Sequence, residues 1–148
     1  MIVELATERN VDRWMALVDK IKGSFPGLET EEALAEHRKT VLEFMDKGCA
    51  ICAKEGDRIV GTLLFSRQTN TLCFLAVDAA YRRRHIAGKM FSYMLTLVDS
   101  EKDITVTTYR VDVPEGIPAR MFYKEMGFTE GKLKDEFGSP AQEFLLKR

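Results

Sequence analysis

The sequence has no run approaching the roughly 18 uninterrupted apolar residues of a membrane-spanning helix. Its start, Met1-Ile-Val-Glu-Leu5, carries no basic segment followed by an apolar one, so a cytoplasmic protein is expected. It also lacks an excess of either charge. With 22 Lys and Arg against 23 Asp and Glu the net charge is −1, and no global positive field draws nucleic acid or an anionic membrane. Cysteine is scarce and odd in number, three in all, which fits a reducing compartment better than a disulfide framework. Cys49 and Cys52 form a C-x-x-C, but they fall at the entry to the strand-like Ala50-Ile51-Cys52-Ala53, where residues three apart point to opposite faces. No second pair and no adjacent histidine completes a zinc set, so no metal site is expected. Internal repeats and low-complexity tracts are missing too. The 148 residues, 45% apolar and 30% charged, read as one domain, 1–148, with a sizeable core.

What the sequence does have is one concentrated stretch. Leu72, Phe74, Leu75 and Val77 form a β-favouring run between Asn70 and Asp78, whereas Ile86, Met90, Met94, Leu95 and Val98 recur at helical spacing. Between them lie Arg82, Arg83, Arg84 and His85, with Lys89 one turn into the helix. A strand-to-helix junction leaves the first helical N–H groups without internal partners and carries the positive end of the helix dipole, so an anion such as a phosphate is favoured there. Each cation opposes that dipole by about 0.3–1 kcal/mol. Four or five crowded together imply an anionic ligand, although a solvated basic loop has the same composition. Ala87 and Gly88 let a ligand approach the backbone, at a cost in helix propensity. The expected anion site therefore runs from Arg82 through Ile86, Ala87 and Gly88 to Lys89.

The remaining segments read as regular elements. Ile2 to Leu5 is a strand. Asn10 is expected to cap a helix with the stripe Val11, Trp14, Met15, Val18 and Ile21, ending at Gly23. Thr30 caps a second helix carrying Leu34, Val41, Leu42 and Met45, with Gly48 as its stop. His37, in that helix, has no partner of a catalytic kind nearby in the sequence and reads as a surface or half-buried histidine. Cys49 to Lys54 and Arg58 to Phe65 make a hairpin about Glu55-Gly56-Asp57, and Ser66 to Asn70 turns into the Leu72 strand. Ile104 to Tyr109 is a further strand, and a short helix runs from Pro118 or Ala119 to Glu125, ended by Gly127. Phe128 to Leu133 and Glu143 to Leu146 are the last strands, separated by a polar loop, Lys134 to Pro140. The order β-α-α-β-β-β-α-β-α-β-β implies a mixed sheet with helices on both faces and a parallel crossover from the Leu72 strand to the Ile104 strand.

Val77-Asp78-x-x-Tyr81-Arg82-Arg83-x-x-Ile86-Ala87 resembles the acyl-CoA-binding motif of the GNAT superfamily of N-acetyltransferases, whose Arg/Gln-x-x-Gly-x-Gly/Ala loop holds the pyrophosphate of coenzyme A. Here that loop runs Arg82-x-x-His85-x-Ala87, with His85 where the family has its first glycine. Ala119-Arg-Met-Phe-Tyr123-Lys-Glu-Met-Gly127-Phe128 is similar to a second family segment, in which the tyrosine approaches the sulfur of coenzyme A. Spacing alone also fits a core tyrosine at this position. The family's asparagine three residues before the alanine is Gly116 here. The resemblance covers essentially the whole chain and implies an α/β (α+β) mixed sheet of GNAT-like fold. Such a fold has six to seven mostly antiparallel strands, a splayed central parallel pair that admits the pantetheine arm, and about four helices on both faces.

The same resemblance implies acetyl transfer from the cosubstrate acetyl-CoA to a primary amine by direct attack in a ternary complex. The roles it carries over are a backbone N–H at or next to Leu75 for the developing oxyanion, Val77 for the pantetheine amides, and Tyr123 as acid for the leaving thiolate. Some relatives place a glutamate four residues before the oxyanion donor. That position is Thr71 here, so Asp112 and Glu115 are the candidate bases, and an amine that arrives neutral needs neither. The implied partners are acetyl-CoA and a small-molecule or peptide amine, with no nucleic acid and no membrane; a homodimer is compatible with the fold. A non-catalytic acyl-CoA-binding or sensor module on the same fold is the alternative reading. The acceptor is expected between the irregular stretches Gly23 to Glu29 and Lys134 to Pro140, across the sheet from the cofactor.

Overall fold

In a computed structural model that describes every residue except Pro26 and Phe137, seven strands form one sheet in the order β1-β2-β3-β4-β5-β7-β6. Along the chain these are β1 (Ile2–Leu5), α1 (Val11–Ile21), α2 (Glu31–Asp46), β2 (Ala50–Glu55), β3 (Arg58–Ser66), β4 (Thr71–Val77), α3 (Ile86–Leu95), β5 (Ile104–Tyr109), α4 (Ile117–Glu125), β6 (Thr129–Glu136) and β7 (Ser139–Leu146). Neighbouring strands run antiparallel except β4 and β5, which are parallel. This is the mixed sheet with a central parallel pair and helices on two faces that the element order implies.

Strand alternation divides the core in two. Cys49, Ile51 and Ala53 face α3 and α4, in a cluster with Leu72, Met90, Phe91, Val106, Tyr123 and Phe144. Ala50 and Cys52 face α1 and α2, with Trp14, Val18, Val41 and Met45. The two cysteines of the C-x-x-C thus lie on opposite sides of the sheet, as the period of two requires, and both are free. Among the described residues no cluster of His, Cys, Asp and Glu could hold a metal, and no helix is long and apolar enough to cross a membrane.

Four boundaries differ from the sequence reading. Thr30 caps α2 as expected, accepting from Ala33 N–H at 3.0 Å, but Asn10 does not cap α1. Its Oδ1 accepts from Thr7 N–H at 2.9 Å and closes a short 3-10 turn, Glu8–Asn10, ahead of the helix. α1 stops at Ile21 and passes into a second 3-10 turn, Lys22–Ser24, rather than reaching Gly23 as α-helix. α3 ends at Leu95, and Val98 keeps its buried position through a turn in which its N–H donates to Met94 at 3.2 Å. The expected polar loop Lys134 to Pro140 is strand on both sides: Lys134 pairs with Ala141, Asp135 with Pro140 and Glu136 with Ser139; Phe137, within it, lies outside the described residues. β6 is an edge strand exposed along most of its length, so it needs no apolar face to be a strand. Pro140 is tolerated because β5 ends opposite Ala141, and its missing N–H interrupts no ladder on that side.

Candidate active site

Two strands that begin as partners separate. β4 and β5 pair only at Thr71 with Thr105 and Leu72 with Val106, a closed end tightened by the Thr71 and Thr105 hydroxyls 3.0 Å apart. Beyond it β5 follows β7, from Thr107 with Glu143 to Tyr109 with Ala141. β4 stays with β3 but carries a bulge at Cys73, because Leu64 faces Phe74 while Phe65 faces Leu72. The direction of the next backbone groups follows from one hydrogen bond. Asp78 N–H donates to the Val60 carbonyl at 2.8 Å, and in an antiparallel ladder hydrogen-bonded pairs alternate with pairs whose groups point the other way. Leu75 and Val77, opposite Leu63 and Gly61, therefore turn their N–H and C=O groups away from β3 and into the opening that β5 has left.

The far end of β4 leads directly into the basic loop. Asp78 is buried; Lys20 Nζ donates to its Oδ2 at 2.8 Å and Ala80 N–H to its Oδ1 at 3.0 Å. The Lys20 hydrogen bond first, with that from Ala80, holds its carboxyl below the ordinary carboxylate range against the opposing effect of burial. A 3-10 turn, Ala79–Tyr81, follows, and then Arg83 and His85 adopt the left-handed region at φ 67° and 59°. Left-handed backbone at a non-glycine residue costs about 1–3 kcal/mol. His85, at the family's first glycine, thus keeps a glycine-like conformation and forms the N-terminal boundary of α3 without a side-chain cap. Arg82, Arg83, Arg84, His85 and Lys89 are exposed, and among the described residues none is in an ion pair. Arg84 lies over the Tyr81 ring at 5.0 Å. Open space surrounds Gly88 at the position of a side chain. Free helical N–H groups, unpaired cations and space for an approaching group coincide here, which fits a pyrophosphate.

Tyr123, on the buried side of α4, belongs to the same core cluster as Leu75, Val77 and Ile86. Its ring packs edge-on against Phe128 at 5.6 Å and Phe144 at 6.2 Å, and burial pushes its phenol above the ordinary tyrosine range. A residue the sequence did not single out holds α4 in place. Arg120 is buried and donates to the Tyr109 carbonyl at 2.7 Å, Gln142 Oε1 at 2.8 Å and Glu130 Oε1 at 2.6 Å, with its guanidinium 4.8 Å from the Phe144 ring. An arginine between Ala119 and Tyr123 on a short helix reads as solvated; only the fold shows it tied to the end of β5.

Among the described residues the candidate bases make no ion pair. Asp112 and Glu115 are exposed in the turn after β5. Burial first, then the Glu115 charge, raises the Tyr109 phenol above its usual range. Thr71 is engaged with Thr69 and Thr105 at the closed end. His37 differs from the sequence reading in company, not in exposure: it is half-buried, but its ring lies 4.9 Å from Phe74, the residue before Leu75. Burial lowers its pKa and keeps the imidazole neutral. Two surface depressions, lined in part by Leu42 and Met45 and by Arg13 and Lys20, include neither Leu75 nor Tyr123.

Comparison with known proteins agrees with the fold. A family model described as Acetyltransferase (GNAT) family matches residues 14–128. No curated protein matches by sequence, whereas many solved structures match the fold. An acetyltransferase of the GNAT family from Bacillus cereus is 21% identical with a TM-score of 0.75, over 99% of this chain and 96% of that one. A PaiA N-acetyltransferase from Thermoplasma acidophilum, solved in complex with coenzyme A, is 13% identical with a TM-score of 0.73, over 99% and 98%. A ribosomal-protein-alanine N-acetyltransferase from Brucella melitensis is 11% identical with a TM-score of 0.76, over 100% of both chains.

Proposed function

The chain belongs to the GNAT acetyltransferase family, and from that premise we propose that it moves an acetyl group from acetyl-CoA to a primary amine by direct attack in a ternary complex. The observation that carries the reading is the opening between β4 and β5, lined by the outward amides of Leu75 and Val77 and leading to an unpaired basic loop. Acetyl-CoA supplies the acetyl group as a thioester. Arg82 to Lys89 and the first N–H groups of α3 hold its pyrophosphate. Val77 pairs with the pantetheine amides as a strand would, and the Leu75 N–H stabilises the oxyanion. The acceptor nitrogen forms a C–N bond to the carbonyl carbon, the C–S bond breaks, and the ammonium proton leaves to water or to a nearby carboxylate. Tyr123 donates a hydrogen bond to the departing sulfur. A phenol of ordinary pKa about 10 is already a weaker acid than a thiol of about 8.5, and burial weakens it further, so its part is stabilisation rather than complete proton transfer.

The test has two arms. Calorimetric titration with coenzyme A measures binding in the parent and in Arg82→Ala combined with Arg83→Ala; weaker binding with a flatter salt dependence is expected. Thiol release from acetyl-CoA against an amine library measures transfer. Unaltered affinity in the double variant moves the phosphate site elsewhere. Tight coenzyme A binding without transfer to any amine replaces the enzyme with the acyl-CoA sensor.

A further inference from the structure

Three aromatic side chains from separate elements meet beside the opening, on the face covered by α1 and α2. Phe25, between α1 and α2, lies 4.7 Å from Phe74 of β4 with a 31° tilt, and His37 of α2 lies 4.9 Å from the same ring at 52°. All three are half-buried, so parts of the rings remain open to solvent. Phe74 immediately precedes Leu75, whose amide faces the opening, and its side chain packs toward the α1 and α2 core. The segment bearing Phe25 is held from the other strand as well, because the Tyr109 hydroxyl of β5 donates to the Ser24 carbonyl. This segment therefore bridges the two strands where they part, and a molecule reaching Leu75 from this face passes an aromatic wall.

We propose that this wall selects an acceptor whose primary amine is carried on a flat, apolar, aryl-type body. The inference rests on the acetyltransferase reading and names its substrate class. Aromatic faces favour flat apolar groups by offset or edge-on packing and tolerate a neighbouring ammonium. Glu29 is engaged with Gly27 N–H through both oxygens, so this segment offers little to a polycation. Held neutral by burial, His37 does not repel the amine.

The test compares three monoamines of matched charge, ethylamine, butylamine and 2-phenylethylamine, with the polyamine spermidine, in the full chain with acetyl-CoA. The kcat/KM is expected to rise with apolar area and to be at least tenfold higher for 2-phenylethylamine than for ethylamine. Phe74→Leu should reduce that ratio at least threefold. A second arm measures binding of 2-phenylethylamine to the coenzyme A-loaded protein by saturation-transfer NMR, independently of turnover. Binding without turnover keeps the inference and removes the enzyme reading. Preference for spermidine or ethylamine, or no binding of 2-phenylethylamine, overturns the inference and leaves acetyl transfer to other amines intact.

Discussion

Gly116 lies so close beneath Tyr109 that a β-carbon built on it would stand 2.2 Å from the tyrosine Cβ and 2.6 Å from its Cγ. The atoms in the way are the root of the side chain, which cannot swing aside. The asparagine that the family places at this position is therefore excluded by the tyrosine that ends β5, and Tyr109 spends its hydroxyl on Ser24 instead. Gly116→Ala should lower stability by about 1–3 kcal/mol, the usual cost of overpacking, read as a fall in thermal midpoint. In the background Tyr109→Gly, which removes the Cβ itself, the same substitution should cost much less, and equal costs in both backgrounds would show that the clash relaxes elsewhere.

His85 is the second place where an expected residue is replaced. Its φ of 59° marks a conformation a glycine would adopt freely. His85→Gly should relieve strain of about 1–3 kcal/mol, less the roughly 0.5–1 kcal/mol of chain entropy that glycine adds to the unfolded state. A small rise in stability and an unchanged or tighter affinity for coenzyme A are expected in calorimetry. A tenfold loss of affinity would instead assign the imidazole to the phosphates.

Much of this was legible because local signals and the fold agree. The Leu72 to Met90 stretch announces its strand, its loop and its helix through a change of period at Asp78, and Gly48 and Gly56 stand where turns need positive φ. What stayed hidden depends on contacts distant in sequence. Arg120 looks solvated until β7 and β6 bring Gln142 and Glu130 to it. His37 looks isolated because Phe74 is on another element. Lys134 to Pro140 reads as loop because an edge strand can be polar on both faces, so alternation gives no sign of it.

Lys20 and Asp78 join α1 to the first residue after β4, and they link stability to pH. Asp78 has a depressed pKa in the folded chain, chiefly from the Lys20 hydrogen bond. Its contribution is therefore complete above the unfolded value of about 3.9 and is lost as pH falls through the lower folded value. Asp78→Asn should cost roughly 1.5–3 kcal/mol at pH 7, as expected for a hydrogen bond to a charged group. It should also flatten the acid end of the curve of thermal midpoint against pH. Because Asp78 also accepts from Ala80 N–H at the start of the basic loop, the KM for acetyl-CoA should rise more than kcat falls. An acid limb identical to the parent's would assign that limb to other carboxylates.

Tyr123 separates an enzyme from a binding module. Its ring contributes to the core through Phe128 and Phe144, and Tyr123→Phe keeps that packing while removing the one proton the side chain can donate. Stability should stay equal or rise slightly, since a phenol buried at 5% exposure no longer has to be desolvated. Coenzyme A affinity should change little. Turnover should fall by about ten- to a thousandfold, mainly in kcat, because the hydrogen bond to sulfur strengthens as negative charge develops there in the transition state. The raised phenol pKa keeps the proton in place throughout the neutral range, so no activity limb in the parent between pH 6 and pH 9, on the order of the range where ordinary tyrosines stay protonated, should disappear in the variant. Turnover unchanged by the substitution would make Tyr123 a core residue and leave the departing thiolate to solvent.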